Sequence, residues 1–414
     1  MNLLVLSGFG CKISVQDLRR CSELVVTDGR EDTKQSVTMR FKPRRFPYSS
    51  IAIDGHSGYI SLRALHWLSS NKIPVFVTNF DGTLISSILP PMPVKADLRA
   101  AQFQAVNDQT TKFAIAHTLV KAKIMRSLEV LDWLAQRYDI ERGVRVTKGE
   151  AVKLGNASTV SQLRTVEGRV ALRYWEAIRK ILPDWLDFQR TLSTTRANNA
   201  SDPFNAALNY GYSILKAECR RSINAVGLEP SVGFLHDFAN YQTKESLVYD
   251  LQEPFRWLID VSVIQTFESK TLGPRDFYFT GDDYRYRFEL DAKKRFIQVL
   301  REKFNIGVAY KGRKIKWGTV ILEKTGELAR YLSGRSSKLD FIEPVPILER
   351  FDSEELREQI KALTSEEAKK AGIDKSTLYT LRQHVRKEPP FKLYRKTLVK
   401  LQSARGSKGQ THQF

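Results

Sequence analysis

Three prolines within four residues, Pro90, Pro91 and Pro93, divide this chain into two differently patterned parts. Proline fixes φ and lacks an N–H, so neither a strand ladder nor a helix runs through such a stretch. Before it, apolar runs at 3–6, 23–26 and 51–53 alternate with Gly, Asp and polar turns, which predicts a β-rich domain over 1–89. Residues 60–68 have helical spacing, and His66 stands there among apolar neighbours, as a core or interface histidine does. The runs 74–78 and 83–89 flank Asp81-Gly82, a hairpin signal.

After a linker at 90–96 the apolar period lengthens to three or four residues, and 97–340 reads as an all-α domain. Helices are predicted over 113–136, 159–182, 202–226 and 292–304. Asp202 supplies an N-cap and Pro203 a first helical residue, while Gly227 and Pro230 stop that helix. A further helix, from about 244–246 to 267, holds Pro254 and is expected to kink there. The stretch 191–201 reads as a polar loop, 311–316 as a basic turn, and 317–332 as helical in its second half.

Residues 342–348 contain two prolines and form a second linker. Beyond it, 364–372 and 374–385 read as helix, turn, helix inside an appended domain over 345–402. Thr364 and Glu367 fit a capping box, Ala368 permits a close crossing, Gly372 allows the turn, and Asp374 or Ser376 caps the second helix. The spacing resembles DNA-binding helix-turn-helix domains, and a plain helical hairpin is the alternative. In the first reading Lys375, Ser376, Thr377, Tyr379, Thr380, Arg382 and Gln383 meet a major groove. The Gly/Ser/Gln-rich tail, 403–414, is expected to be disordered. The predicted class is thus α+β and multidomain: β-rich, then all-α, then a small helix-turn-helix.

Sixty-six Lys and Arg against 46 Asp and Glu leave a net charge of +20 over 414 residues, the footprint of a partner rich in phosphate. No apolar run approaches a membrane span, and the first residues read as a strand rather than a secretion signal. Cys11, Cys21 and Cys219 are too few and too scattered for a disulfide framework or a zinc cluster, which fits a reducing cytoplasm.

The stretch 233–256 carries the chemistry. It holds His236 behind a Gly-Phe-Leu passage, then Asp250 and Glu253, which share a helical face at i, i+3. Glu167, in the middle of the 159–182 helix, is the best donor to complete a site; as a lone helical carboxylate it also fits a solvated surface. If Glu167, His236 and Glu253 converge, two carboxylates and one imidazole suit Mg²⁺ or Mn²⁺ better than Zn²⁺. Such an ion polarises a phosphodiester and activates water or a DNA 3′-hydroxyl. Asp250 would tune the site or hold a second ion, and Arg256 would bind a phosphate.

Four segments in order, E-G-R-V-A-L-R-Y-W (167–175), D-P-F-N-A-A-L-N-Y-G-Y-S-I-L (202–215), G-L-E-P-S-V-G-F-L-H (227–236) and S-L-V-Y-D-L-Q-E-P-F-R (246–256), resemble the CRISPR adaptation integrase family. The resemblance covers about 1–340. It implies an N-terminal β-domain that dimerises, an α-helical catalytic domain, and a metal triad falling on Glu167, His236 and Glu253, with Asp250 at an accessory position. The appended C-terminal domain departs from the ordinary family pattern and resembles the casposases, relatives that act as transposases of archaeal and bacterial mobile elements. That implies joining of 3′-hydroxyl ends to double-stranded DNA with target duplication, a homodimer that becomes a tetramer on DNA, and no need for the small adaptation partner. The alternatives are a spacer-inserting integrase that works with that partner, and a non-enzymatic DNA-binding regulator.

Overall fold

A computed structural model describes residues 3–18, 21–29, 36–54, 57–79, 84–90, 95–135, 137–189, 200–236, 245–281, 285–342, 358, 360–370 and 372–386. The Asp81-Gly82 turn, residues 191–199, the middle of both proline linkers and the 403–414 tail lie outside these residues. By internal contacts the chain forms two compact units: 1–128 with 145–345, and 129–144 with 346–414.

The first unit opens with eight strands and one helix. β1 (Leu3–Ser7), β5 (Ser50–Asp54) and β7 (Val75–Thr78) pair in parallel, and β8 (Leu84–Ile88) closes that sheet antiparallel to β7. β2 (Cys11–Leu18) and β3 (Cys21–Thr27) form a hairpin flanked by β4 (Thr38–Phe41) and β6 (Gly58–Ile60). The inward residues of both sheets, among them Leu6, Ile13, Leu24 and Ile51, bury one core with Trp67 and Leu68 of helix α1 (Leu62–Ser70). His66, expected in a core or interface, is exposed on α1, so it is not a core residue. β5 ends in Asp54, which takes an ion pair from Lys293 at 2.7 Å and a hydrogen bond from the Tyr210 hydroxyl, all three buried. This buried pair ties the strand region to the helices.

The helices follow in order: α2 (Ala96–Asn107), α3 (Gln109–Ala135), α4 (Glu141–Val152), α5 (Val160–Arg179), α6 (Pro203–Val226), α7 (Ser246–Gln252), α8 (Arg256–Glu268), α9 (Leu290–Asn305) and α10 (Trp317–Leu332). Local chemistry sets several of their ends. Thr159 caps α5 through Gln162 N, and Asp202 caps α6 through Asn205 N at 2.7 Å. Gly227 stops α6 with φ +94°, a left-handed conformation that glycine adopts without strain. α6 is buried over most of its length and packs on α7, α8 and α10. Ala116, Val120 and Ile124 of α3 pack against Leu163, Val166 and Val170 of α5, with Leu235 closing the cluster.

Residues 97–340 are not all-α. Two hairpins interrupt the helices: β9 (Phe277–Thr280) with β10 (Arg285–Phe288), and β11 (Gly307–Tyr310) with β12 (Arg313–Lys316). Phe277 and Phe288 face each other across the first, with ring centres 4.7 Å apart. The expected basic turn at 311–316 is the second hairpin. Lys311 and Gly312 both take positive φ, as a two-residue turn between twisted strands requires. α10 is helical throughout, and α4 had no counterpart among the expected helices.

In the second unit, α11 (Ser365–Lys370) and α12 (Lys375–Arg386) bury Ala368, Leu378 and Leu381. Thr364 and Glu367 form the expected capping box. Gly372 has φ +70°, and the Asp374 carboxylate accepts from Thr377 N at 2.7 Å.

Candidate active site

The passage into His236 is fastened by one buried carboxylate. Asp250, on α7 and without solvent exposure, accepts backbone N–H groups from Phe234, Leu235 and His236, and stands 2.7 Å from His236 Nδ1. A carboxylate oxygen accepts, so Nδ1 is the donor in this pair and Nε2 is the ring nitrogen that Asp250 leaves unengaged. Four hydrogen bonds thus fall on the two oxygens of Asp250 and fasten the backbone and ring of His236. Gly233 makes this possible: a Cβ there would lie 2.7 Å from the Ser246 carbonyl carbon and 2.8 Å from Asp250 Oδ2. Arg164 of α5 adds a second tie by donating Nε to the Leu235 carbonyl at 2.7 Å. Changing Asp250 to Asn is expected to cost about 1–3 kcal/mol, because an amide nitrogen would face N–H donors. Denaturant melts would measure that loss, and an unchanged midpoint would remove Asp250 from this role.

Opposite this loop, three elements converge on one cation. Lys123 of α3 hydrogen-bonds Glu167 of α5, and its Nζ lies 2.6 Å from Glu253 Oε2. The α3–α5 apolar cluster places the first two, since Lys123 adjoins Ile124 and Glu167 adjoins Val166. Glu167 is therefore half-buried and paired, its side chain 23% exposed, rather than a solvated surface carboxylate. Glu253 begins the single 3₁₀ turn that separates α7 from α8, so Pro254 breaks the helix as its missing N–H demands. Arg256, one turn on, brings Nη1 within 3.7 Å of Glu253 Oε1 and lies over the Tyr212 ring at 4.3 Å.

These charges set one another. Burial works against the Glu253 carboxylate, but Arg256, Lys123 and His236 outweigh it and hold its pKa down to about 2. Burial likewise penalises the Lys123 ammonium, and Glu167 and Glu253 overcome it and raise its pKa. Arg256 is also raised, with burial again opposed by Glu253.

Lys123, Glu167, Glu253 and Arg256 border a cleft of about 230 Å³, with Tyr174, Trp175, Tyr212 and Trp257 in its walls. At its floor Asp260 accepts hydrogen bonds from the Tyr174 and Tyr212 hydroxyls. Among the described residues no three His, Cys, Asp or Glu side chains stand together as a ready metal cage; an ammonium lies between the two glutamates instead.

Of the residues singled out from sequence, Glu167, Glu253 and Arg256 meet here, and His236 is near enough to influence Glu253 electrostatically. Lys123 and Asp260 were not anticipated. A lysine in a basic helix carries no local mark of its partner, and Glu167 lies 44 positions away. On α12, Lys375, Ser376, Tyr379 and Thr380 are exposed, whereas the Thr377 hydroxyl donates to Asp374 and Arg382 Nη2 donates to the Leu363 carbonyl at 2.7 Å. The guanidinium of Arg382 is thus folded onto the segment that leads into α11.

The profile of the family described as CRISPR associated protein Cas1 matches residues 18–302. The chain belongs to this family. A CRISPR-associated endonuclease Cas1 of Archaeoglobus fulgidus is 25% identical over 358 residues, covering 82% of this chain and 99% of its own length. Another Cas1, from Methanopyrus kandleri, is 31% identical over 264 residues, covering 61% of this chain and 76% of its own. Among solved structures, a casposase bound to an integration product is 35% identical with a TM-score of 0.76, covering 87% of this chain and 99% of that one. A Cas1 protein of Thermotoga maritima shares the fold at 17% identity, with a TM-score of 0.65 and coverage of 80% and 97%. Every residue gathered around Lys123 lies within the Cas1 match, whereas α11 and α12 lie beyond it. No described helix of this Cas1-family chain is long and apolar enough to cross a membrane.

Proposed function

We propose that this Cas1-family protein is a DNA integrase of the casposase type, a DNA strand transferase with endonuclease chemistry. The observation that carries the reading is the likeness, over most of both chains, to a casposase bound to an integration product. In the reaction, the 3′-oxygen of an incoming DNA end bonds to a phosphorus of the target, and the target's own 3′-oxygen leaves and takes up a proton. One phosphodiester forms as another breaks, so no nucleotide cofactor is consumed.

Glu167, Glu253 and His236 Nε2 would hold Mg²⁺ or Mn²⁺. The fit is supported by an ammonium already held between the two carboxylates and by a histidine whose Nδ1 is committed to Asp250. When bound, the ion polarises the phosphodiester and favours loss of the attacking hydroxyl's proton. The chain's own groups do the rest. Asp250 fixes the imidazole, Arg256 offers a cation to phosphate oxygens at the cleft, and the net charge of +20 draws in the DNA backbone.

The appended domain over 345–402 acts as the helix-turn-helix that selects DNA, with Lys375, Ser376 and Tyr379 towards the bases or backbone. The protein works in the cytoplasm on double-stranded DNA, as a homodimer through its N-terminal domain and as a tetramer once two ends are engaged. A second reading, spacer insertion together with a small adaptation partner, is favoured by the CRISPR-associated endonucleases among its relatives.

Incubating a labelled duplex bearing a free 3′-hydroxyl with supercoiled plasmid, Mn²⁺ and the purified protein tests both. Joining by the protein alone is the expected result. Joining only after a small adaptation partner is added would replace the first reading by the second. Tight DNA binding with no joining in either case would refute both.

A further inference from the structure

Two carboxylates from different elements hold one ammonium where the proposed reaction calls for a divalent cation. We propose that Lys123 is a built-in counter-ion of the DNA-free site, which yields its place to the metal when DNA arrives and so couples metal affinity to DNA binding. The inference rests on the metal-dependent reading above and adds a regulation of that same site.

The argument begins with repulsion. Glu167 and Glu253 approach each other away from bulk water, and two carboxylates do so only with a cation or a shared proton between them. Lys123 is that cation, bonded to Glu167 and 2.6 Å from Glu253 Oε2. A divalent ion on the same oxygens would lie within a few ångströms of the ammonium, and that like-charge contact is strongly unfavourable away from bulk water. The ammonium must therefore leave, or the metal binds weakly.

Lys123 also has somewhere to go. Its flexible stem borders the cleft of about 230 Å³ that Arg126, Ser127 and Arg256 also line. A desolvated ammonium that gives up two carboxylates needs another anion, and a phosphate of DNA lying in that cleft supplies one. Without DNA, Lys123 competes with the metal; with DNA, its charge is taken up elsewhere. Because such coupling is reciprocal, metal must also tighten DNA binding. A purely structural ion pair predicts none of this, since its removal would only loosen the fold.

The test is direct Mn²⁺ binding to the full chain by calorimetry, with and without a short duplex bearing a 3′-hydroxyl. Without DNA, Lys123→Met is expected to bind Mn²⁺ about tenfold tighter than wild type or more, and Lys123→Arg to resemble wild type. The duplex is expected to tighten wild-type binding by about 5–150-fold and to change Lys123→Met far less. Equal or weaker Mn²⁺ binding by a folded Lys123→Met overturns the proposal. So does a wild-type affinity indifferent to the duplex, a reading that needs no variant at all. Glu167→Gln separates the two levels of inference. If no protein shows Mn²⁺ binding that depends on Glu167, the metal assignment itself fails and this proposal with it. If Glu167-dependent binding is present but ignores Lys123 and DNA, only the coupling is wrong.

Discussion

His236→Ala is expected to lower strand joining by about 10²–10⁴-fold, the range typical of losing a group that moves or holds a proton at the reacting centre. Asp250 takes Nδ1, so Nε2 is the ring nitrogen left for a cation or a proton. The side chain is 30% exposed and sits on a loop fastened by its backbone, so truncation should cost little stability. DNA affinity should also persist, because it comes from basic surface far larger than one imidazole. Single-turnover joining rates and gel-shift affinities measured on one preparation check this. Joining within a few-fold of wild type would remove His236 from the reaction.

Glu253→Gln is expected to destabilise the metal-free protein at neutral pH by about 3–5 kcal/mol, because Lys123 and Arg256 would then lose a buried counter-charge. A pH series reads the same interaction independently. The folded carboxyl is held down to about 2 against an ordinary 4.5. A depressed pKa stabilises the fold above the unfolded value, and that stability drains away as pH falls through the folded one. The wild type should therefore lose about 3 kcal/mol between about pH 5 and pH 2 through this group. Over the same window the gap between wild type and Glu253→Gln should close. Denaturant midpoints across that range measure it, and a gap independent of pH would mean that Glu253 is not charged in the way described.

What the sequence by itself determined is what short-range chemistry controls. Asp202, Pro203 and Gly227 marked both ends of α6 because a cap, a fixed φ and a left-handed stop act within a few residues. Pro254 marked the break between α7 and α8 for the same reason, whereas the start of α5 was read from its helical spacing. The apolar runs located β1, β3, β5 and β7. They missed β9–β10 and β11–β12, whose four-residue strands are too short to impose a period against their helical surroundings.

The site divides along the same line. Glu167, His236 and Glu253 were legible as residue types that suit phosphoryl transfer. Only the tertiary structure decided what they meet. It put Lys123 between two glutamates from separate elements, wrapped Asp250 in four donors, and brought Arg256 against Glu253. The reason is physical: a buried charge must find an opposite charge or a set of donors. Which one it finds depends on how α3, α5 and the passage into His236 pack, and that is set by Ile124, Val166 and Leu235 at long sequence separation rather than by anything beside the charge itself.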